Sequence, residues 1–259
     1  MKKQLILTLL VLCTAIAATG RTKFTDPVKF AFGVHTGIDI GGAVPWPPME
    51  QLGGNNKMSA IPHLNPALGV SYTLIFNPCW SLTAESTYKV VSLDADAWVE
   101  NQIFYSREDD LMVSFRGTAK MGMSFPMMEF PVYLRYAFRN DDHRVFLGGY
   151  YARVFRAKFV TTPYKGQLFN LMDGRPDDLG ESTPIKPEDH YTQDFSDAMD
   201  SWDAGFLVGY ERQIFNRITL SGRLSMGLKD IFKRDKKYLA YNMLHMRGTI
   251  TVSYMFFKR

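Results

Sequence analysis

The sequence is short of cysteine, of long apolar runs and of net charge, and each shortage closes off a class of protein. Only two cysteines occur in 259 residues, Cys13 and Cys79. Cys13 falls in a leader described below, so a processed chain keeps one thiol and can form no internal disulfide. Past residue 20, no stretch approaches the ~20 consecutive apolar residues that a membrane helix needs. The formal net charge is +4, from 30 Lys and Arg against 26 Asp and Glu. That is too small an excess to argue for nucleic acid as a partner. Helical membrane proteins and disulfide scaffolds are therefore set aside. Hydrophobic residues at 46% and charged residues at 22% also exclude a disordered chain. Aromatic residues, in contrast, are plentiful at 14%.

Lys2 and Lys3 precede an apolar run from Leu5 to Ala18 that ends in the small residues Ala15, Ala17 and Ala18. This is the pattern of a secretory signal peptide. Cys13 lies inside the apolar run, behind Leu12, where a lipoprotein signal would carry a small residue. The expected organisation is a signal peptide over residues 1–20 and one domain over residues 21–259. Removing the leader takes away two basic and no acidic residues, which leaves +2.

A period of two then runs through eight segments: Lys29–Ile40, Ala67–Phe76, Trp80–Val91, Glu129–Phe138, Val145–Phe155, Trp202–Gln213, Ile218–Leu228 and Met246–Phe257. Successive side chains of a strand point to opposite faces, so each segment reads as a two-faced strand. In the first, Phe30, Phe32, Val34 and Ile38 oppose Ala31, Gly33, His35, Gly37 and Asp39. Short connections (77–79, 139–144, 214–217) alternate with long ones (41–66, 92–128, 156–201, 229–245). Short turns on one rim and long loops on the other are the habit of outer-membrane barrels. The segments Trp98–Tyr105 and Leu111–Phe125 read either as a hairpin above the barrel or as two further staves, giving eight strands or ten.

Charge decides which face is outside. The apolar faces carry almost none, whereas a water-facing surface would be about a quarter to a third charged. The opposite faces mix Gly, Ser and Thr with isolated charges: Asp39, Glu85, Glu129, Asp203 and Glu211 against Lys89, Arg135, Arg153, Arg223 and Arg247. An eight-stranded barrel is just wide enough for side chains to fill, and charges trapped there must pair. Five acids and five bases predict a lumen closed by salt bridges. A soluble lipocalin-like carrier of small ligands would show the reverse arrangement, a charged exterior around an apolar cavity. Phe30, Phe76, Trp80, Phe138, Phe146, Tyr210 and Tyr254 fall near the short-turn ends of their strands, where an interfacial girdle belongs.

The remaining residues offer little chemistry. A barrel-borne membrane enzyme would need a base within reach of a nucleophile. None of His35, His63, His143, His190 and His245 sits in a recognisable nucleophile motif, and His35 and Asp39 are four residues apart on one strand face, too far to touch. The run Asp173–Asp178 lacks the ligand spacing of an EF-hand, and Asp194, Asp197, Asp200 and Asp203 read as a solvated loop. Lys229, Lys233, Arg234, Lys236 and Lys237 make a basic loop able to attract lipopolysaccharide phosphates. No cofactor or metal and no catalytic residue is expected. The expected surroundings are outer-membrane lipid and lipopolysaccharide, with other envelope proteins reached through the long loops.

Two stretches resemble the PorT-like outer-membrane β-barrel family. One is Pro66-Ala67-Leu68-Gly69-Val70-Ser71-Tyr72, followed by a tight turn into Trp80-Ser81-Leu82. The other is Met128-Glu129-Phe130-Pro131-Val132-Tyr133-Leu134-Arg135-Tyr136, followed by a turn and Leu147-Gly148-Gly149-Tyr150-Tyr151. In that family an acidic-apolar-Pro step precedes one strand and a Gly-aromatic strand follows. The resemblance implies an eight-stranded barrel in the outer membrane, with some members serving secretion or envelope assembly, and it transfers no catalytic residues. Independently, Pro131 cannot donate to a ladder and marks a bulge or the start of a strand.

The expected fold is all-β: an eight-stranded, up-and-down antiparallel transmembrane β-barrel with long extracellular loops, placed in the cell outer membrane. The expected role is structural, adhesive, or in envelope assembly or secretion. Detergent-purified protein should run at different positions on a gel before and after boiling. Identical migration would point to an ordinary soluble fold.

Overall fold

The computed structural model describes residues 29–46, 58–106, 111–138, 142–171, 179–185, 192–234 and 242–258. The expected leader, the Asp173–Asp178 run, His190, Lys236 and Lys237 lie outside the described residues. In chain order the strands are β1 (Lys29–Trp46), β2 (Met58–Pro62), β3 (Leu64–Ile75), β4 (Trp80–Ser106), β5 (Leu111–Ala137) and β6 (His143–Val154). They continue as β7 (Lys158–Leu171), β8 (Leu179–Pro184), β9 (Gln193–Asp194), β10 (Trp202–Phe215), β11 (Ile218–Asp230) and β12 (Asn242–Lys258).

Eight of these strands close a ring. Going round it, β1 pairs with β3, β3 with β4, β4 with β5, β5 with β6, β6 with β10, β10 with β11, β11 with β12, and β12 with β1. Every pairing is antiparallel. The closed ring leaves no sheet edge within the membrane, which hydrocarbon requires because it cannot satisfy a free N–H or C=O. The first turn shows why Asn-Pro suits the rim. The Asn77 Oδ1 accepts the backbone N–H groups of Cys79 and Trp80 at 2.9 and 2.7 Å, standing in for a backbone turn.

The side chains follow the alternation. On β1, Phe30, Phe32 and Ile38 are exposed on the outer wall while Ala31, His35 and Asp39 are buried inside. On β5, Phe130, Val132, Leu134 and Tyr136 face out, as does Phe138 just beyond it, and Glu129, Tyr133 and Arg135 face in. Aromatic side chains collect at the turn-side rim: Phe30 against Tyr72, Trp80 against Tyr136, and Tyr254 against Phe256. A second belt holds Tyr151 stacked on Trp202. Trp202 and Tyr210 lie eight residues apart on β10. At about 3.4 Å per residue and a tilt of about 40°, that is ~20 Å along the barrel axis, close to the ~25 Å band of such barrels.

The strands run well past the membrane. β4 and β5 extend as one hairpin, paired from Trp80↔Tyr136 up to Ser106↔Leu111. The segments Trp98–Tyr105 and Leu111–Phe125 are its outer arms and add no staves. β2 pairs with the outer part of β4, β7 with the outer part of β5, and β8 and β9 with β7, so an open sheet stands above the barrel. Along this hairpin the apolar phase inverts. Leu82, Tyr88 and Val90 lie on the outer side, but from Val91 the buried residues are Val91, Leu93, Ala95 and Ala97, while Ser92, Asp94 and Asp96 lie on the opposite face. On β5 the change falls between Met127, which is buried inside, and Met128 and Phe130, which lie on the outer face. The segments on the membrane side, Trp80–Val90 and Met128–Phe138, match the 9–11 residues of a spanning strand.

Above the change, Val91, Leu93, Met121, Met123, Phe125 and Met127 pack with Phe159, Phe195, Met199, Phe232 and Met243 into one apolar cluster. The segments expected as loops 41–66, 92–128, 156–201 and 229–245 are therefore partly strand, and their apolar sides build a cap over the external mouth. If the outer wall at β10 faces lipid, Val208→Arg should cost about 2–4 kcal/mol in an unfolding titration in lipid vesicles. Leu228→Arg, near the outer interface on β11, should cost only ~0–1 kcal/mol. Equal costs would displace the membrane band.

Candidate functional site in the barrel lumen

Because inward positions recur every second residue, charged residues on seven different strands meet inside the ring. Lys89 of β4 reaches Asp39 of β1 at 3.0 Å and Glu129 of β5 at 2.9 Å. Arg247 of β12 approaches the same Glu129 at 2.8 Å, and Arg223 of β11 lies 3.7 Å from it. Glu129 is thus a hub for three cations from three strands. Arg247 also lies 4.0 Å from Asp203 of β10 and places its guanidinium 4.6 Å over the ring of Tyr150. The hydroxyl of Tyr150 donates to Asp203 at 2.7 Å, and that of Thr249 donates to Asp39 at 2.7 Å.

Nearer the turns, Arg223 pairs with Glu85 at 2.9 Å, and the Tyr133 hydroxyl donates to Glu85 at 2.5 Å. Arg135 bridges from Tyr133 to Glu211, 3.1 Å away. Arg144 takes the other oxygen of Glu211 at 3.0 Å and donates to Gln213. The network therefore runs from Asp39 to Arg144 with five carboxylates and five cations. Lys89, Glu129 and Arg247 have side chains essentially sealed from solvent. In a setting without water, such charges are tolerated only with good mutual geometry.

Nine of the ten residues expected to form this network are brought together. Arg153 is not among them. On β6 the two faces are the reverse of those expected: Phe146, Tyr150 and Val154 are buried inside, whereas Arg153 is exposed and donates to the Ser201 hydroxyl. Phe146 accordingly leaves the expected girdle and enters the lumen. The reason lies on the neighbouring strand, where Gly209 opens a seat; a Cβ there would stand 2.2 Å from the Phe146 ring. Tyr150 faces inward because its hydroxyl finds Asp203. Arg144, which the sequence placed in a turn, takes up the fifth cationic role.

The histidines are distributed as structural groups. His35 shares a 2.8 Å hydrogen bond with Thr87 and packs onto Gly69, where a Cβ would lie 2.5 Å from its Nε2. His245 meets Phe125 edge-on under the apolar cap. His63 lies 3.4 Å from Asp94 above the membrane, and His143 bonds the Tyr210 hydroxyl at the turn rim. The aspartates spaced three apart do not converge: Asp203 joins the lumen network, Asp200 bonds Lys229, and Asp194 bonds Ser196. Among the described residues no group of three or more His, Cys, Asp or Glu is arranged to hold a metal ion.

A closed antiparallel ring with an apolar outer wall, aromatic belts and a charged interior defines an outer-membrane β-barrel. The family model for the outer membrane protein beta-barrel domain matches residues 23–233, and the chain belongs to that family. Among solved structures it is similar to Ail, the attachment invasion locus protein of Yersinia pestis, crystallised with the heparin analogue sucrose octasulfate. That similarity has 8% identity and a TM-score of 0.38, covering 89% of this chain and all of that one. It is also similar to OprG of Pseudomonas aeruginosa, at 11% identity and a TM-score of 0.33, covering 88% of this chain and 95% of that one. No curated protein matches the chain. It is a small outer-membrane barrel protein.

Removing one partner from a buried ionic network leaves the others uncompensated, at a cost of about 3–5 kcal/mol. Arg223→Met and Arg247→Met should each lose that much in unfolding titrations, and Arg153→Met should lose less than about 1 kcal/mol. Equal losses for all three would remove the distinction between the inner and outer faces of β6.

Proposed function

We propose that this protein is a closed barrel that carries an external β-sheet, and that its work is structural, adhesive or in envelope assembly at the cell surface. What supports the reading is that side chains fill the lumen at two levels. Ion pairs fill its middle and an apolar cluster seals its external end. A path for ions or solutes would have to break both. What the chain offers to the outside instead is the hairpin of β4 and β5 with the strands laid against it. On this reading the protein performs no enzymatic chemistry, since the buried histidines are engaged in packing and hydrogen bonds.

The PorT-like resemblance and the export leader over residues 1–20 belong to the same proposal. So does contact with lipopolysaccharide. Arg153 is exposed beside the Tyr151–Trp202 belt, at the level where headgroup phosphates lie. Lys229 and Lys233 of the basic loop are held by Asp200 and by the Asp197 carbonyl. Other envelope proteins would be met by the external sheet.

Two measurements test the reading. In planar bilayers the protein should show negligible conductance, and steady, large openings would refute the closed lumen. Replacing Trp98–Thr118 by a short turn should leave a heat-modifiable barrel that fails to restore the envelope phenotype of cells lacking the protein. Full restoration by that shortened barrel would overturn the role given to the external sheet.

A further inference from the structure

The turn-side mouth of the lumen has a different character from the plug above it. It holds a cavity of about 560 Å³ whose wall carries, among the described residues, four cationic side chains, Lys29, Arg135, Arg144 and Arg217, and one carboxylate, Asp142. Arg135 and Arg144 share Glu211 between them. Setting Glu211 and Asp142 against the four cations leaves two positive charges. Lys29 and Arg217 are exposed and have no ion-pair partner among the described residues. Arg135 is more than nine-tenths buried, yet its Nε has no hydrogen-bond partner.

The excess is local. The part of the network above this mouth holds Asp39, Glu85, Glu129 and Asp203 against Lys89, Arg223 and Arg247, one negative charge over. Positive charge therefore collects where the barrel opens to the periplasm, the side on which short turns lie. Low-dielectric walls around such a cleft focus its field and raise the local concentration of ions of the opposite sign. Guanidinium groups match the planar, bidentate geometry of carboxylate and phosphate oxygens. The volume lies within the ~300–1,000 Å³ of small-molecule sites.

We propose that the turn-side mouth of the barrel is a binding site for a small periplasmic oxyanion carrying two negative charges. Arg217 and Lys29, unpaired among the described residues, supply the cations, and the Arg135–Glu211–Arg144 bridge forms a floor. The ligand is phosphate-bearing or a dicarboxylate, two sources of the same chemistry. The site is independent of the external sheet, because the plug and the apolar cap lie between them.

Cys79 lines the same cavity and is a free thiol, so it reports on the site directly. Full-length protein in detergent should be labelled at Cys79 by a sulfonate-bearing thiosulfonate at least about tenfold faster than by a trimethylammonium-bearing one. Millimolar pyrophosphate or succinate should slow the labelling, and whichever protects at the lower concentration names the source. The double variant Lys29→Gln, Arg217→Gln, built on exposed residues outside the plug, should lose both the charge preference and the protection while keeping its heat-modifiable migration. Equal rates for the two reagents, labelling by neither, no protection by either anion, or protection that survives the double substitution would each overturn the site.

Discussion

A charge inside a narrow barrel cannot fall back on bulk water, and that constraint organises the rest of the molecule. Glu129 on β5 is held by Lys89, Arg223 and Arg247, which come from β4, β11 and β12. The contacts of Arg223 and Arg247 cross the lumen and tie β5 to β11 and β12, with which it shares no backbone hydrogen bonds. They also hold the register. A slip of one residue on any of these strands would turn a buried charge out into hydrocarbon and bring an apolar side chain in. The inward glycines belong to the same constraint. Gly69 and Gly209 have no side chain because His35 and Phe146 occupy the space.

The change of apolar phase at Val90–Val91 and at Met127–Met128 separates two solvents along continuous strands. On the membrane side, lipid contacts the greasy face and the polar face is enclosed. Beyond it, water contacts Ser92, Asp94 and Asp96, and the apolar face turns inward to form the cap. The backbone carries straight through, since a strand accepts either arrangement. One pair of strands thus serves as barrel stave and as external platform. The methionines of the cap, Met121, Met123, Met127, Met199 and Met243, are unbranched and fill the irregular space where the barrel and the external sheet meet.

Much of this was legible in the order of residues. Asp39, Glu85, Lys89, Glu129, Asp203, Glu211, Arg223 and Arg247 each interrupt an otherwise small and polar face opposite a greasy one, so alternation alone places them inside. Arg153 and Arg144 were not legible in that way. On β6 both faces carry aromatic or aliphatic side chains, Phe146 and Tyr150 on one and Val145, Leu147 and Tyr151 on the other. Hydrophobicity therefore could not choose between them. The choice rests on Gly209 and Asp203, more than fifty residues away in the chain, which seat one ring and accept the other's hydroxyl. Arg144 looked like a turn residue because its partners Glu211 and Gln213 also lie far off in sequence. The inversion at Val91 was present in the sequence as well, as a shift of apolar residues from even to odd positions. It reads as a break in pattern until the paired strand is seen to shift at the same level.

The sequence by itself determined the class of the molecule: a period of two with one uncharged face, repeated between alternating short and long connections, leaves an outer-membrane barrel. It did so because alternation is a local property of an extended backbone and needs no knowledge of neighbours. Only the tertiary structure decided which cation answers which carboxylate, which face of β6 turns inward, and that the long connections rise in part as strands and pack an apolar cluster beyond the membrane. Those outcomes depend on distances between residues far apart in the chain, and such distances exist only after the ring has closed.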